Sequence, residues 1–304
     1  VLFHTELTAV SKDAARIVEA TAVCRGTRLS IFPGSVVDAS GDAVAATLAG
    51  AKPEMSEPSR LQRPAFIFAM HGVDVSQLDD DGRLRIAKAI TDGVRRGTLD
   101  EGALGAQFRT TGRGSEVYVT IDLAAPQDYD PTSPYHLTFL ESHGRRLAMD
   151  LLSFLREAAS AFSSAEIAAF PARVGVRESR RVHGLERVTC DDVLRGTAKA
   201  DVVALGTWPM ESRERATGPR WRFPEGLRPT QIPLGALRAV GLDNLWVAGR
   251  CISCEHEAQA SLRVIGTCMA TGQAAGAAAA IQTAKTAEPT AAEVRAAIGM
   301  EVPE

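Results

Sequence analysis

Residues 244–281 constrain the fold of this 304-residue chain more than any other stretch. They read NLWVAGRCIS, CEHEAQA and SLRVIGTCMATGQAAGAAAAI in succession. Leu245 to Ala248 is a short, wholly apolar run, which suits a central strand covered on both faces. It ends at Gly249-Arg250, where glycine admits a close neighbour and the arginine sets a positive charge at the strand's C-terminal edge. Ligands of open α/β sheets bind outside that edge. An Ala/Gly-rich helix then runs from Gly266 to Ile281. The N-terminus of such a helix offers unpaired N–H groups and the positive end of a dipole, here at Gly266 and Thr267. Gly272 and Gly276 lie four apart among alanines. Glycine in a helix interior costs about 1 kcal/mol relative to alanine, so the pair predicts a close neighbour, either a ligand or a packed element.

Composition removes several function classes. Hydrophobic residues make up 45% and charged residues 23%, with a net charge of -3. That balance gives no electrostatic reason to expect nucleic acid or an anionic membrane as partner. Three Tyr and three Trp leave little material for base-stacking platforms. A membrane span needs about 20 apolar residues; residues 263–281 come closest, but Arg263, Thr267, Thr271 and Gln273 interrupt them. The cysteines (Cys24, Cys190, Cys251, Cys254 and Cys268) are odd in number and scattered. This suits a reducing compartment better than a disulfide framework. With no signal peptide, a cytoplasmic location is expected. The opening VLFHTELTAV resembles the middle of a domain, which leaves an upstream export signal open.

The remaining chain reads as two regions. Val1 to Val10, Ala20 to Cys24 and Arg28 to Phe32 are strand-like and punctuated by Gly26 and Pro33-Gly34. Val36-Val37 then run into a turn of small residues, Asp38-Ala39-Ser40-Gly41-Asp42, which lets a ligand approach the backbone; an ordinary polar turn is the alternative. Residues 50–62 are polar and Pro-containing, as expected for a crossing between domains. Ala65 to Met70 and Val117 to Leu123 read as strands, and Thr138 to Phe162 as a long amphipathic helix. Ser163 with Glu166 fits a capping box for a short helix. Arg173 to Val182 is strand-like, and Thr189 opens a helix. From Gln231 the chain returns to its first region, and Thr290 with Glu293 opens a final helix. The expected division is 1–50, 51–230 and 231–304, with the middle segment a separate domain. Gly112-Arg113-Gly114 precedes a strand and lacks a third glycine, so it predicts a hairpin turn.

Together, VVDASGDA, LWVAGRCIS and GTCMATGQAAG resemble the FAD-dependent oxidoreductase family within the glutathione-reductase-like, two-domain flavoproteins. The family shows a strand ending in an ATG-D-like turn, a separate substrate domain, an LxVAGR-xIS strand and a closing TxMATGQAAG helix. All occur here in order, across essentially the whole chain. RVGVRESRRVHGLERVTCDDVLRG (Arg173 to Gly196) is similar to the segment that precedes the last part in this family. The resemblance implies an α/β chain, α+β overall: an incomplete FAD-binding Rossmann-like domain (1–50 and 231–304) with an inserted mixed-sheet substrate domain. It implies noncovalent FAD as cofactor, with Asp38, Ser40, Gly41, Asp42, Gly249, Arg250, Arg263, Gly266, Thr267 and Gly272 along its flavin and ribityl parts. The turn departs mildly, with Ala-Ser-Gly in place of Ala-Thr-Gly. The strand–G-x-G-x-x-G–helix unit of at least ~30 residues that grips the pyrophosphate does not occur in this sequence. The chain is therefore expected to be a C-terminal portion that binds FAD poorly alone.

The same resemblance implies hydride transfer from a small organic substrate to the flavin, with an unidentified electron acceptor. A reductase or hydroxylase on this scaffold, or a noncatalytic remnant serving as an interaction module, are the alternatives. His256, in the loop between the arginine strand and the closing helix, is positioned to take a proton as hydride leaves; a loop histidine bonded to Glu255 or Glu257 is the bland reading. Arg250 is its expected companion. Arg177 and Arg181 alternate onto one strand face and suit a carboxylate substrate, or else form ion pairs. His71, ending the 65–70 strand, is a further substrate-site candidate. Cys251-x-x-Cys254 has redox and metal spacing but no second pair, so no metal is expected.

Overall fold

The computed structural model describes residues 1–302. Its strands in chain order are β1 (Glu6–Asp13), β2 (Arg16–Cys24), β3 (Thr27–Ile31), β4 (Val36–Asp38), β5 (Ala65–His71), β6 (Gln107–Thr110), β7 (Val117–Asp122), β8 (Glu166–Ala169), β9 (Val202–Gly206), β10 (Met210–Ser212), β11 (Arg220–Arg222), β12 (Thr230–Pro233) and β13 (Leu245–Val247). The helices are α1 (Val44–Leu48), α2 (Asp80–Arg95), α3 (Pro134–Ala158), α4 (Cys190–Arg195), α5 (His256–Leu262), α6 (Ile265–Lys285) and α7 (Ala291–Ile298). This is a mixed α/β chain in two compact units. The first comprises Val1–Ser56, Ser179–Glu211 and Trp221–Glu304; the second comprises Glu57–Glu178 and Ser212–Arg220. Residues 179–211 thus fall with the first unit, although the sequence reading set them in the middle domain. Strand pairing accounts for the difference, because β9 pairs antiparallel with β12.

In the first unit, β4 and β13 pair in parallel, Val36 opposite Leu245 and Asp38 opposite Val247. All three β13 residues are buried, as its apolar run predicts. Asn244, wholly buried, fastens this pair to β2. Its side-chain oxygen accepts from Ile17 N at 2.8 Å, and its amide donates to Ile17 O at 2.9 Å and to Gly34 O at 3.2 Å. Trp246 donates through its indole N–H to Gln282 Oε1 at 2.9 Å, so α6 is tied to the same strand by a satisfied polar contact. Helix α6 buries Thr267, Thr271, Ala274, Ala275 and Ala278. The close neighbour expected at Gly272 and Gly276 is not found among the described residues: a Cβ at either meets no atom within 4 Å. Those glycines belong with Ile265 and Met269, whose side chains are 79% and 70% exposed, to a face of α6 that the first unit leaves open. Thr189 and Thr290 each close a capping box, with Asp192 and Glu293, so α4 and α7 begin where sequence places them.

The second unit holds a four-stranded sheet, β6-β7-β5-β8, whose pairs are all antiparallel. The mixed sheet expected there is therefore corrected. One reason is local: Gly112 and Gly114, both at positive φ, turn β6 directly back into β7. Helix α3 buries Leu140, Gly144, Leu147, Leu151 and Leu155 at three- and four-residue spacing. Gly144 is required, because a Cβ there would collide with the Phe66 ring. Two further readings change. Glu166–Ala169 is strand β8 rather than a capped helix, since Met70 and His71 pair with Ile167 and Glu166. Arg173 to Val182 is not a continuous strand; it makes isolated bridges, Gly175 to Ala65 and Arg181 to Glu54. No single helix among the described residues is long and apolar enough to cross a membrane.

Truncating the Asn244 clasp leaves the buried N–H and C=O of Ile17 without their partner. Each such group costs about 1–3 kcal/mol. Asn244→Ala should destabilise the protein by about 3 kcal/mol, read from the urea midpoint. Asn244→Asp, which sets a carboxylate against two carbonyl oxygens, should cost at least as much at neutral pH and recover on acidification.

Candidate functional site

The turn after β4 is built by its own side chains. Asp38 is 3% exposed. Its Oδ1 accepts from Ser40 N at 3.1 Å and Ser40 Oγ at 2.6 Å, and its Oδ2 accepts from Ala46 N at 3.2 Å. Ser40 Oγ in turn accepts from Asp42 N and Val44 N, each at 3.2 Å. These bonds satisfy the first N–H groups of α1, whose own N-cap, Ala43, is left-handed at φ 51° and offers no side-chain cap. Asp38 and Ser40 therefore shape the turn. Gly41 sits inside it at φ 78°, and a Cβ there would run into the Arg250 guanidinium.

The strand–arginine element meets this turn. Arg250 Nη2 lies 3.6 Å from Asp42 Oδ1. That carboxylate oxygen is buried and has no hydrogen-bond donor among the described residues. Gly249 N donates to Thr271 Oγ1 of α6 at 3.1 Å. Strand β13, the 38–42 turn and the first turns of α6 thus form one corner. Helix α6 is bent 94° from α5. Its N-cap, Val264, makes no side-chain cap, and Ile265 and Gly266 are exposed. The positive end of a long helix therefore opens at this corner. Arg263 donates to Glu211 O at 3.0 Å.

His256 opens α5 and is half-buried. Its Nδ1 lies 3.1 Å from Ser56 Oγ. Sequence reading expected Glu255 or Glu257 as its structural partner, but both carboxylates point elsewhere. Glu255 accepts from Cys190 N at 2.7 Å, and Glu257 accepts from Arg222 at 2.9 Å. Ser56 was missed because residues 50–62 read as a linker.

The two candidate substrate arginines each meet a carboxylate within their own unit. Arg177, in the second unit, pairs with buried Asp122 at 2.7 Å, beside Arg213 at 2.8 Å. Arg181, in the first unit and 3% exposed, pairs with Glu54 at 3.5 Å. Arg177, Glu178, Ser179 and Arg181 are all buried, so burial does not distinguish the two faces of the expected alternation. His71 is exposed at the end of β5, 3.6 Å from Glu166. The five cysteines are free thiols, and Cys251 and Cys254 are buried. Cys251 donates to Ala248 O at 3.3 Å.

A parallel strand pair, a small-residue turn and an open helix N-terminus meet at one corner of a mixed α/β chain, and open α/β sheets bind ligands outside such strand ends. The chain belongs to the FAD dependent oxidoreductase family, whose model matches residues 1–298, and FAD is its cofactor. Among solved structures it is similar to the flavin-dependent brominase Bmp2, at 12% identity over 92% of this chain and 50% of that one, with a TM-score of 0.38. A triple mutant of that brominase gives 13% identity over 98% and 52%, with a TM-score of 0.37. The chain spans about half the length of these structures. No curated protein matches it.

The Cys251 thiol bears directly on the CxxC motif. Burial, with the Asp38 carboxylate next in importance, pushes it from the usual 9.0 up to about 12. The folded state thus holds a proton that the unfolded state releases above pH 9. This contribution is fully present below pH 9 and is lost as pH rises towards 12, at up to about 1.4 kcal/mol per pH unit. Iodoacetamide at pH 8 should leave Cys251 unmodified in the folded protein and alkylate it after unfolding, as peptide mass mapping would show. Rapid alkylation of the folded state would contradict this placement.

Proposed function

We propose that the protein oxidises a small organic substrate, with hydride passing to FAD held at the corner of β4, β13 and α6. The observation that carries this reading is the donor set there. Asp42 Oδ1 is a buried acceptor without a donor, which suits a ribityl hydroxyl. Arg250 beside it carries a permanent charge. The uncapped N-terminus of α6 presents N–H groups at Gly266 and Thr267, which suit the electron-rich edge of a reduced flavin ring. The Gly249 N–H donates to Thr271 Oγ1 at 3.1 Å and ties that helix to the strand end. The residues present therefore fit the flavin and ribityl half of FAD. Bound FAD supplies the two-electron acceptor.

His256 is assigned as the acid–base residue. As the substrate C–H bond breaks and its electron pair leaves with the hydrogen, the O–H or N–H proton passes to His256, leaving C=O or C=N. Arg177 and Arg181 each pair with a carboxylate of their own unit, and neither is assigned a substrate contact in this reading.

Two measurements test the reading. Arg250→Ala removes a charge-assisted contact worth about 1.5–3 kcal/mol. It should weaken FAD binding by roughly ten- to 150-fold, followed by quenching of flavin fluorescence. His256→Gln should leave FAD bound and slow anaerobic flavin bleaching by alcohols, amines or acids by about 100-fold or more. Unchanged single-turnover bleaching would remove His256 from catalysis. A yellow protein that no such substrate bleaches would point to a reductase or hydroxylase. A full-length protein that folds, is colourless and takes up no added FAD would point to an interaction module.

A further inference from the structure

Three aromatic side chains of the first unit stand together in solvent. Trp208, Trp221 and Phe223 are 41%, 39% and 66% exposed. The Trp208 and Trp221 rings lie 5.9 Å apart, tilted at 59°, and the Trp221 and Phe223 rings lie stacked 6.1 Å apart at 19°. The chain has three tryptophans, and the third, Trp246, is wholly buried, so both exposed indoles are in this one cluster. Apolar surface gathered in water gains free energy when a ligand covers it.

Local chemistry holds the rings in place. Trp221 and Phe223 are two residues apart at the end of β11, so their side chains share a face and Arg222 takes the other. Arg222 Nη1 donates to Glu257 Oε2 at 2.9 Å and to Cys190 Sγ at 3.3 Å, which fastens this segment to α5. Trp208 arrives from β9. That strand ends at Gly206, where a Cβ would come within 3.3 Å of Thr267 Oγ1 in the first turn of α6. Ser261, one turn beyond Glu257 on α5, donates through Oγ to Trp208 O at 2.6 Å. The Trp208 indole donates to Glu211 Oε2 at 3.1 Å, and Arg263 donates to Glu211 O at 3.0 Å. Both arms of the cluster are therefore fixed to α5, and the Trp208 arm starts beside the N-terminus of α6.

Aromatic rings pair by offset stacking or edge to face. The cluster offers a further ring both geometries, an outer face of the Trp221–Phe223 stack and the tilted Trp208 indole beside it. A cation is held by ring faces turned towards it, whereas Trp221 and Phe223 turn a face to each other. We propose that Trp208, Trp221 and Phe223 form a stacking subsite for the substrate, and that the substrate is an alcohol or amine carried on a planar aromatic ring. This rests on the flavin placement at α6 proposed above, but ring binding is measured without turnover.

The experiment titrates p-fluorobenzyl alcohol with the protein and follows its fluorine NMR signal. The wild type should shift that signal saturably. Benzyl alcohol should displace the probe, and cyclohexylmethanol, of similar size but not planar, should not. Trp221→Leu should weaken binding by about two- to tenfold, and Trp221→Phe, which keeps a ring, should recover most of it. If Trp221→Leu fails to fold, Phe223→Leu, at the most exposed of the three positions, is read in the same way. A shift that never saturates would overturn the proposal, as would an affinity unchanged by the leucine substitution. Displacement by cyclohexylmethanol or tetramethylammonium as readily as by benzyl alcohol would overturn the aromatic class. Ring-dependent binding, with no bleaching of the FAD-loaded protein by any alcohol or amine, would keep the subsite and remove the hydride-transfer reading.

Discussion

The structure of the first unit depends on one long-range pairing, β4 against β13 in parallel, fastened by Asn244. The clasp joins residues 227 positions apart. Loop closure over such a distance is entropically unfavourable, and two three-residue strands give it few hydrogen bonds. The pairing holds because all three β13 residues are buried and because both polar groups of the Asn244 side chain meet backbone partners. Once these strands lie side by side, their C-terminal ends coincide. Gly41 then lies beneath Arg250, and Gly249 meets the second turn of α6.

Many polar residues near this corner serve the fold first. Asp38 and Ser40 close the turn and cap α1; Asp122, Arg177 and Arg213 form a buried cluster in the second unit; Arg181 is drawn into Glu54 and Ser56. A buried charge persists only when it is paired, so these groups are committed before any ligand arrives. In the proposed reading, what the corner offers the flavin is narrower: one carboxylate oxygen of Asp42, the Arg250 charge and the open end of α6.

Features set by local chemistry were legible in the sequence. The apolar β13 run, the α6 helix, the helix starts at Thr189 and Thr290, and the hairpin turn at Gly112-Arg113-Gly114 each follow from a few adjacent residues. Features set by distant partners were not. Glu166 satisfies a capping-box pattern, but β5 recruits it into a sheet. The 173–182 run has strand composition, yet its ends bridge to different partners. Gly272 and Gly276 predicted contact, and the described residues leave their face open. Ser56 carries no motif at all. Its contacts include Arg181 and His256, from positions 125 and 200 residues away. Helix α2, capped by Asp79 through Gly82 N at 2.8 Å, was also missed, its charged exterior masking the stripe of Ile86 and Ile90.

The central claim is that the β4–β13–α6 corner is where the flavin sits. A structure of the protein determined with FAD bound tests it most directly. The account predicts the isoalloxazine edge within hydrogen-bonding distance of the Gly266 and Thr267 N–H groups, with a ribityl hydroxyl on Asp42. An isoalloxazine bound away from the α6 N-terminus, with Asp42 and Arg250 untouched, would contradict it.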